Sequence, residues 1–321
     1  MSMKICILGA GALGCAIGGV LTEAGHEVWL INRGRSLVET LIRDGLKVRD
    51  ERGDRLVPVH AATHCDQVDA STGPADLIVV LVKSFHTREA IESAHAVMGA
   101  STVVLSLQNG LGHEDVLADV VGRERVLAGK TYAGGVTLGL GHIISGTRGK
   151  ETIVGELDGR VSERALRIAE TFTSAGLVTT VSRDIMGTMW DKLLVNVATG
   201  ALSGITRLNY GALYAIPEVE NCAMAAVAEA IAVARAGDIA LTTSDPRQPW
   251  LKAAEGLPPE FKASMLQSLE KGSVTEIDYV NGAVVRWGAR YGVATPVNSA
   301  LVACIKGIER GLPPPSTAKQ T

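Results

Sequence analysis

The six residues GAGALG, Gly9 to Gly14, stand directly after the apolar run KICIL and open a small-residue stretch from Leu13 to Ala24. Strand, glycine turn and helix in that order form the context of a dinucleotide-binding loop. Gly9 suits the tight turn, Gly11 lets the backbone approach a pyrophosphate, and Gly14 lets helix and strand pack closely, while the helix N-terminus favours phosphate. Ala12 and Leu13, between them, are counted to the same cofactor site. The bland alternative is a glycine-rich turn that holds nothing. On hydrophobicity alone ICILGAGALGCAIGGVL could also pass for a signal-peptide core. Its glycines, and the strand-like TEAGHEVWLIN that follows, read instead as folded, mature protein.

The alternation continues with EVWLI, DLIVVLV, a polar helix around His86 to Val97, and TVVLSL. Continuous apolar strands separated by helices signal a parallel sheet covered on both faces. GLKVRDERGDRLVPVHAAT alternates like a hairpin or short connecting strands, and the Gly-rich stretch from Val126 to Leu157 reads as β-rich with many turns. From Asp184 the period becomes helical, with Leu193, Val197 and Ala201 spaced by four and Pro296 and Gly311 punctuating the last helix. With 321 residues the chain has room for two domains. The expectation is an α/β Rossmann-like N-terminal domain over 1–183 and an all-α C-terminal domain over 184–321, with a frayed tail from about 312.

Lys+Arg 31 against Asp+Glu 34 gives a net charge of -3, without the basic surplus that binding a phosphate backbone needs. No nucleic acid partner and no membrane span are expected. Five scattered cysteines without a C-x-x-C pair fit a reducing cytoplasm. His60, His64 and Cys65 have ligand chemistry but no distant fourth ligand, so no metal is expected. Neither G-x-S-x-G nor H-E-x-x-H occurs, which leaves hydrolase chemistry without a foothold.

The second strand ends in Ile31, Asn32, Arg33, where an NAD enzyme would place a carboxylate on the ribose hydroxyls. Arg33, with Arg35 nearby, suits a ribose 2′-phosphate instead, so the expected cofactor is NADP. The alternative is a pair of solvated arginines. In WDKLLVNVATGALSG the helix buries Leu193, Leu194, Val197, Ala198 and Leu202, while Lys192 and Asn196 share one face with Thr199, Gly200 and Ser203. An exposed polar stripe is the ordinary reading of such a face.

With GAGALG, LVKSFH, LQNGLG, WDKLLVN, SMLQ and TEIDYVNG in this order and spacing, nearly the whole chain resembles the ketopantoate reductase family. The resemblance implies NADPH-dependent reduction of a 2-oxo acid, as in the 2-dehydropantoate 2-reductase step of pantothenate biosynthesis, with a substrate cleft between a Rossmann-like and a helical domain. It implies a small-molecule 2-oxo acid as partner and a homodimer as a possible assembly. It assigns Lys192 as general acid, Glu276 and Asn196 as its catalytic companions, Asn109 and Lys83 to the cofactor, and Asn109, Lys192, Asn196 and Ser264 to the substrate.

Glu276 has a local alternative, because Ser273-Val274-Thr275-Glu276 is a capping-box sequence. The chain also departs from the family, with Gly200, Tyr210 and Phe261 where substrate-side asparagines often stand. These departures suggest a site enlarged at Gly200 and a bulkier or more apolar substrate. The competing functions are thus a D-2-hydroxy acid dehydrogenase for branched or aromatic substrates and a non-catalytic NADP-binding regulator.

Overall fold

The computed structural model describes residues 2–313. The tail expected from about 312 lies, from residue 314 on, outside the described residues. The described residues form two compact units, one from residues 2–108 and 113–185, the other from 109–112 and 186–313.

The first unit contains the strands β1 (Lys4–Leu8), β2 (Glu27–Ile31), β3 (Leu46–Asp50), β4 (Gly53–Val57), β5 (His60–Ala62), β6 (Ala75–Val80), β7 (Met98–Ser106), β8 (Val126–Thr131), β9 (Gly134–Gly139), β10 (His142–Gly146), β11 (Thr152–Glu156) and β12 (Thr179–Val181). Its helices are α1 (Ala12–Glu23), α2 (Arg35–Asp44), α3 (Thr87–Ser93), α4 (His113–Val121) and α5 (Glu163–Ser174). Eight strands form one sheet in the order β5-β2-β1-β6-β7-β8-β11-β12. From β5 to β8 every pairing is parallel, and only β11 runs antiparallel to its neighbour β8. Counted within this sheet the order starts 3-2-1-4-5-6, the doubly wound Rossmann arrangement, whose strand order reverses beside β1 and opens a crevice at the carboxyl ends of β1 and β6. β1 is wholly buried and β6 nearly so, as central strands covered on both faces must be.

A second, four-stranded sheet, β4-β3-β10-β9, joins strands from residues 46–57 to strands from the Gly-rich stretch, an association the sequence did not announce. Its β3 and β4 are the expected hairpin, but β3 also pairs in parallel with β10. Helix α1 lies against both sheets. A Cβ on Gly18 would stand 2.5 Å from Leu30 and 3.2 Å from Ile7 in the large sheet, and one on Gly19 3.1 Å from Leu46 in the small one. The small residues of α1 are therefore what lets one helix serve two layers.

The second unit contains α6 (Ile185–Thr206), α7 (Tyr210–Leu213), α8 (Pro217–Ala236), α9 (Arg247–Ala254), α10 (Ser264–Glu270), α11 (Asn281–Tyr291) and α12 (Pro296–Arg310). The apolar period of α6 reads out as expected, with Leu193, Leu194, Val197, Ala198 and Leu202 all at most 6% exposed. Trp190 of α6 meets Trp287 of α11 edge to face, ring centroids 6.0 Å apart. Pro217 and Pro296 sit in the first turns of α8 and α12, where a missing N–H costs nothing. The Glu229 carboxylate of α8 accepts the backbone N–H groups of Val297 (2.8 Å) and Asn298 (3.0 Å), placing negative charge at the start of α12.

Candidate active site

The glycine loop is built as its sequence demands. Gly9 and Ala10 donate backbone N–H groups to Ile31 O at 3.1 and 3.0 Å, which ties the loop to the end of β2. Gly9 has φ +106, and a Cβ there would lie 2.5 Å from Val82 N, so only glycine fits between β1 and the chain leaving β6. A Cβ on Gly14 would overlap the Gly9 carbonyl oxygen. On Gly11 it would meet nothing within 4 Å. This open approach at the N-terminus of α1 is the fit a pyrophosphate needs, and Ala12 and Leu13 supply the first turn of that helix.

Asn32, passed over in the sequence, locks the neighbouring turn: its Nδ2 donates to Ala10 O at 3.1 Å and its Oδ1 accepts from Gly34 N at 2.8 Å. Arg33 is exposed and engaged in a surface ion pair. Its guanidinium donates to both Glu89 carboxylate oxygens (3.1 and 3.0 Å) and reaches His86 Nε2 at 2.9 Å. One guanidinium nitrogen thus holds a carboxylate while another meets the imidazole. Arg35, two residues further on, opens α2.

Lys83 is exposed in the turn after β6. Beneath this turn, a buried network fixes the ends of β6 and β7. Gln108 Nε2 donates to Val82 O (2.9 Å) and to Thr87 Oγ1 (2.8 Å), and Ser84 Oγ meets His113 Nε2 at 2.8 Å. The sequence contained LVKSFH and LQNGLG, but spacing alone does not say that one clasps the other.

Asn109 is exposed and begins the short segment grouped with the second unit. That segment is docked by Leu111 N, which donates to Tyr279 O at 2.9 Å, while Tyr279 N donates to Glu276 O at 3.0 Å. Two backbone bonds therefore connect the Asn109 turn to Glu276. The capping-box reading of Glu276 is overturned. Helix α11 starts at Asn281, and Glu276 precedes a single 3-10 turn, Ile277–Tyr279. Thr275 supplies an acceptor to Ile277 N (3.2 Å) while its own donors go to Glu309.

On α6, Lys192 and Asn196 are half-buried, one turn apart. The stripe does not stay exposed, as an ordinary amphipathic face would. Thr199 is 2% and Ser203 0% exposed, with Thr199 Oγ1 3.1 Å from the Tyr210 hydroxyl and Ser203 Oγ donating to Leu208 O at 2.7 Å. Burial pushes the Tyr210 phenol up, an effect that the Thr199 hydrogen bond partly offsets. Tyr210 and Phe261 pack edge to face with centroids 5.1 Å apart, so both departures from the family belong to one aromatic cluster.

The enlarged site expected at Gly200 is also corrected. A Cβ on Gly200 would sit 3.3 Å from Met265 Cε and 3.4 Å from its sulfur. The room left by the missing side chain is filled from α10. In SMLQ, Met265 turns inward onto α6 while Ser264, the first residue of α10, is exposed. His60 stacks on Trp29, centroids 4.9 Å apart, and among the described residues no group of three or more His, Cys, Asp or Glu could hold a metal.

Residues 5–159 match the family model described as ketopantoate reductase PanE/ApbA, and residues 184–309 match the model for the C-terminal part of the same family. The chain is 34% identical to the 2-dehydropantoate 2-reductase of Archaeoglobus fulgidus over 310 residues, covering 96% of this chain and 99% of that one. Among solved structures, a ketopantoate reductase of this family from Ralstonia eutropha superposes with a TM-score of 0.87 at 34% identity, covering 97% of this chain and 99% of that one. A D-mandelate dehydrogenase in a ternary structure with NADH and anilino(oxo)acetate reaches the same TM-score of 0.87 at 27% identity, with 97% and 99% coverage.

Proposed function

Because the chain belongs to the ketopantoate reductase PanE/ApbA family, we propose that it reduces a 2-oxo acid to the 2-hydroxy acid with NADPH, as a 2-dehydropantoate 2-reductase does. The observation that carries this reading is that one chain of this family holds both an open glycine loop fit for a phosphate and, on one face of α6, Lys192 and Asn196. NADPH, when bound, supplies the hydride. Gly9 to Gly14 hold the pyrophosphate, with Gly11 giving it room, and Arg33 meets the 2′-phosphate. Lys83 and Asn109 complete the cofactor side.

Lys192 gives a proton to the carbonyl oxygen as the carbonyl carbon is reduced, and its ammonium polarises that oxygen beforehand. Glu276 orients Lys192, and Asn196 donates a hydrogen bond to the substrate. Ser264 and Asn109 seat the carboxylate end. A steady-state screen with NADPH, NADH and a series of 2-oxo acids tests the reading: turnover with 2-dehydropantoate and preference for NADPH support it. A second reading, reduction of an aromatic 2-oxo acid, is favoured by the Tyr210–Phe261 cluster and by the likeness to D-mandelate dehydrogenase. A higher kcat/KM for a phenyl-bearing 2-oxo acid than for 2-dehydropantoate selects it.

A further inference from the structure

Glu276 lies in a stretch without strand or α-helix, so its position must come from what grips its neighbours. Besides the backbone bond from Leu111 to Tyr279, two grips come from α12. Glu309, 6% exposed, accepts at one oxygen the backbone N–H of Thr275 (2.7 Å) and the Thr275 hydroxyl (2.7 Å). Lys306, one turn earlier, donates to Asp278 Oδ2 at 2.5 Å and pairs with the other Glu309 oxygen at 3.3 Å. Residues 275 and 278 are thus pinned on either side of Glu276. Burial lowers the proton affinity of the Lys306 ammonium, but the Asp278 and Glu309 carboxylates more than reverse that, and the lysine stays charged.

The same turns of α12 also meet the helix that carries Lys192. A Cβ on Gly204 of α6 would stand 2.9 Å from Ile305 Cδ1, so Ile305 occupies the groove that this glycine leaves. Ile305, Lys306 and Glu309 therefore hold α6 and the Glu276 segment against one rigid element, whose start is itself fixed by Glu229.

We propose that the final turns of α12 position Glu276 relative to Lys192, with Glu309 and Lys306 as positioning residues that touch neither substrate nor cofactor. This rests on the reading of Lys192 and Glu276 as the catalytic pair. A misplacement of about an ångström by a remote change can cost up to roughly a hundredfold in rate. Glu309→Ala, which frees both Thr275 donors, should lower kcat by about ten- to a hundredfold on that scale, with NADPH affinity within about twofold of normal. Glu309→Gln keeps an acceptor oxygen for Thr275 and should restore most of kcat.

Steady-state kinetics and NADPH titration of these two variants, beside Lys192→Ala and thermal melts, make the test. Normal kcat in Glu309→Ala while Lys192→Ala is crippled would overturn the positioning role and leave the proposed function standing. Normal kcat in both would remove the function and the inference together. Equal losses in Glu309→Ala and Glu309→Gln would also count against positioning, since the acceptor survives in one of them. If Glu309→Ala does not fold, Thr275→Val decides: it removes the hydroxyl that donates to Glu309 and accepts from Ile277 N while leaving the Thr275 backbone bond to Glu309 in place, should cost several-fold in kcat, and is recovered by Thr275→Ser. Unchanged kcat in Thr275→Val would then reject the inference.

Discussion

Leu111 donates its backbone N–H to the carbonyl of Tyr279 at 2.9 Å, and through this bond a turn after β7 is held to a segment 168 positions further along the chain. Gly110, next to Leu111, makes the approach feasible. It has φ +97, and a Cβ there would overlap Tyr279 O. Gly110→Ala should therefore cost about 1–3 kcal/mol from backbone strain, with the lost docking added. Thermal melts measure the first effect, and a rise in KM for the 2-oxo acid reports the displacement of Asn109. A variant as stable and as active as the original protein would show that the turn does not depend on this bond.

The two loop glycines should separate binding from folding. Gly11→Val places its branches in open space, so the melting temperature should change little while NADPH binding fails. Gly9→Val meets the backbone at Val82 in a left-handed conformation and should lower stability as well. Fluorescence titration of NADPH beside thermal melts distinguishes them. Full NADPH affinity in folded Gly11→Val would mean the loop holds no cofactor.

On the proposed cofactor reading, a 2′-phosphate competes with Glu89 for Arg33. Charge-assisted hydrogen bonds are worth about 1.5–3 kcal/mol and the exposed Arg33–Glu89 pair about 0.2–1 kcal/mol, so the phosphate wins by a reduced margin. Arg33→Ala should weaken NADPH by about tenfold or more with NADH nearly untouched. Glu89→Gln should tighten NADPH by about two- to fivefold, the reciprocal of the lost competition. Parallel titrations with both cofactors check the pair, and equal effects on NADH would show that neither residue reads the 2′-phosphate.

Acid stability has a specific source in Glu156. Burial raises this carboxyl, but hydrogen bonds from Arg164 and Ser162, with the Arg164 charge, hold its pKa below the ordinary value. The folded pKa is depressed, so its contribution is present above the unfolded value of about 4.3 and is lost as pH falls through the folded one. Glu156→Gln should lower the melting temperature at pH 7 and flatten its decline between about pH 5 and 3. Parallel acid limbs in the two proteins would contradict this.

The parts of the architecture governed by local periodicity were legible. KICIL, GAGALG and DLIVVLV specify a parallel sheet with a glycine turn into the first helix, and the apolar spacing of α6 foretold its buried face because a helix repeats every 3.6 residues. What the sequence hid depends on partners distant along the chain. The β3–β10 pairing joins segments that no spacing rule connects. Glu276 carried a capping pattern, yet Thr275 is claimed by Glu309, and Gly200 suggested a vacancy that Met265 fills. Nothing near Arg33 in the sequence indicated Glu89 as its partner.

In the proposed mechanism Lys192 and Glu276 serve one proton transfer, and the rate of NADPH oxidation driven by a saturating 2-oxo acid reports that step. Lys192→Ala should lower this rate by about two to four orders of magnitude, as loss of a general acid does, with NADPH affinity near normal. Glu276→Gln should also cause a large loss, and the double variant should be little worse than Lys192→Ala alone, because both residues serve the same step. If Lys192→Ala and Glu276→Gln each turned over the substrate at the unmutated rate, the mechanism would be wrong.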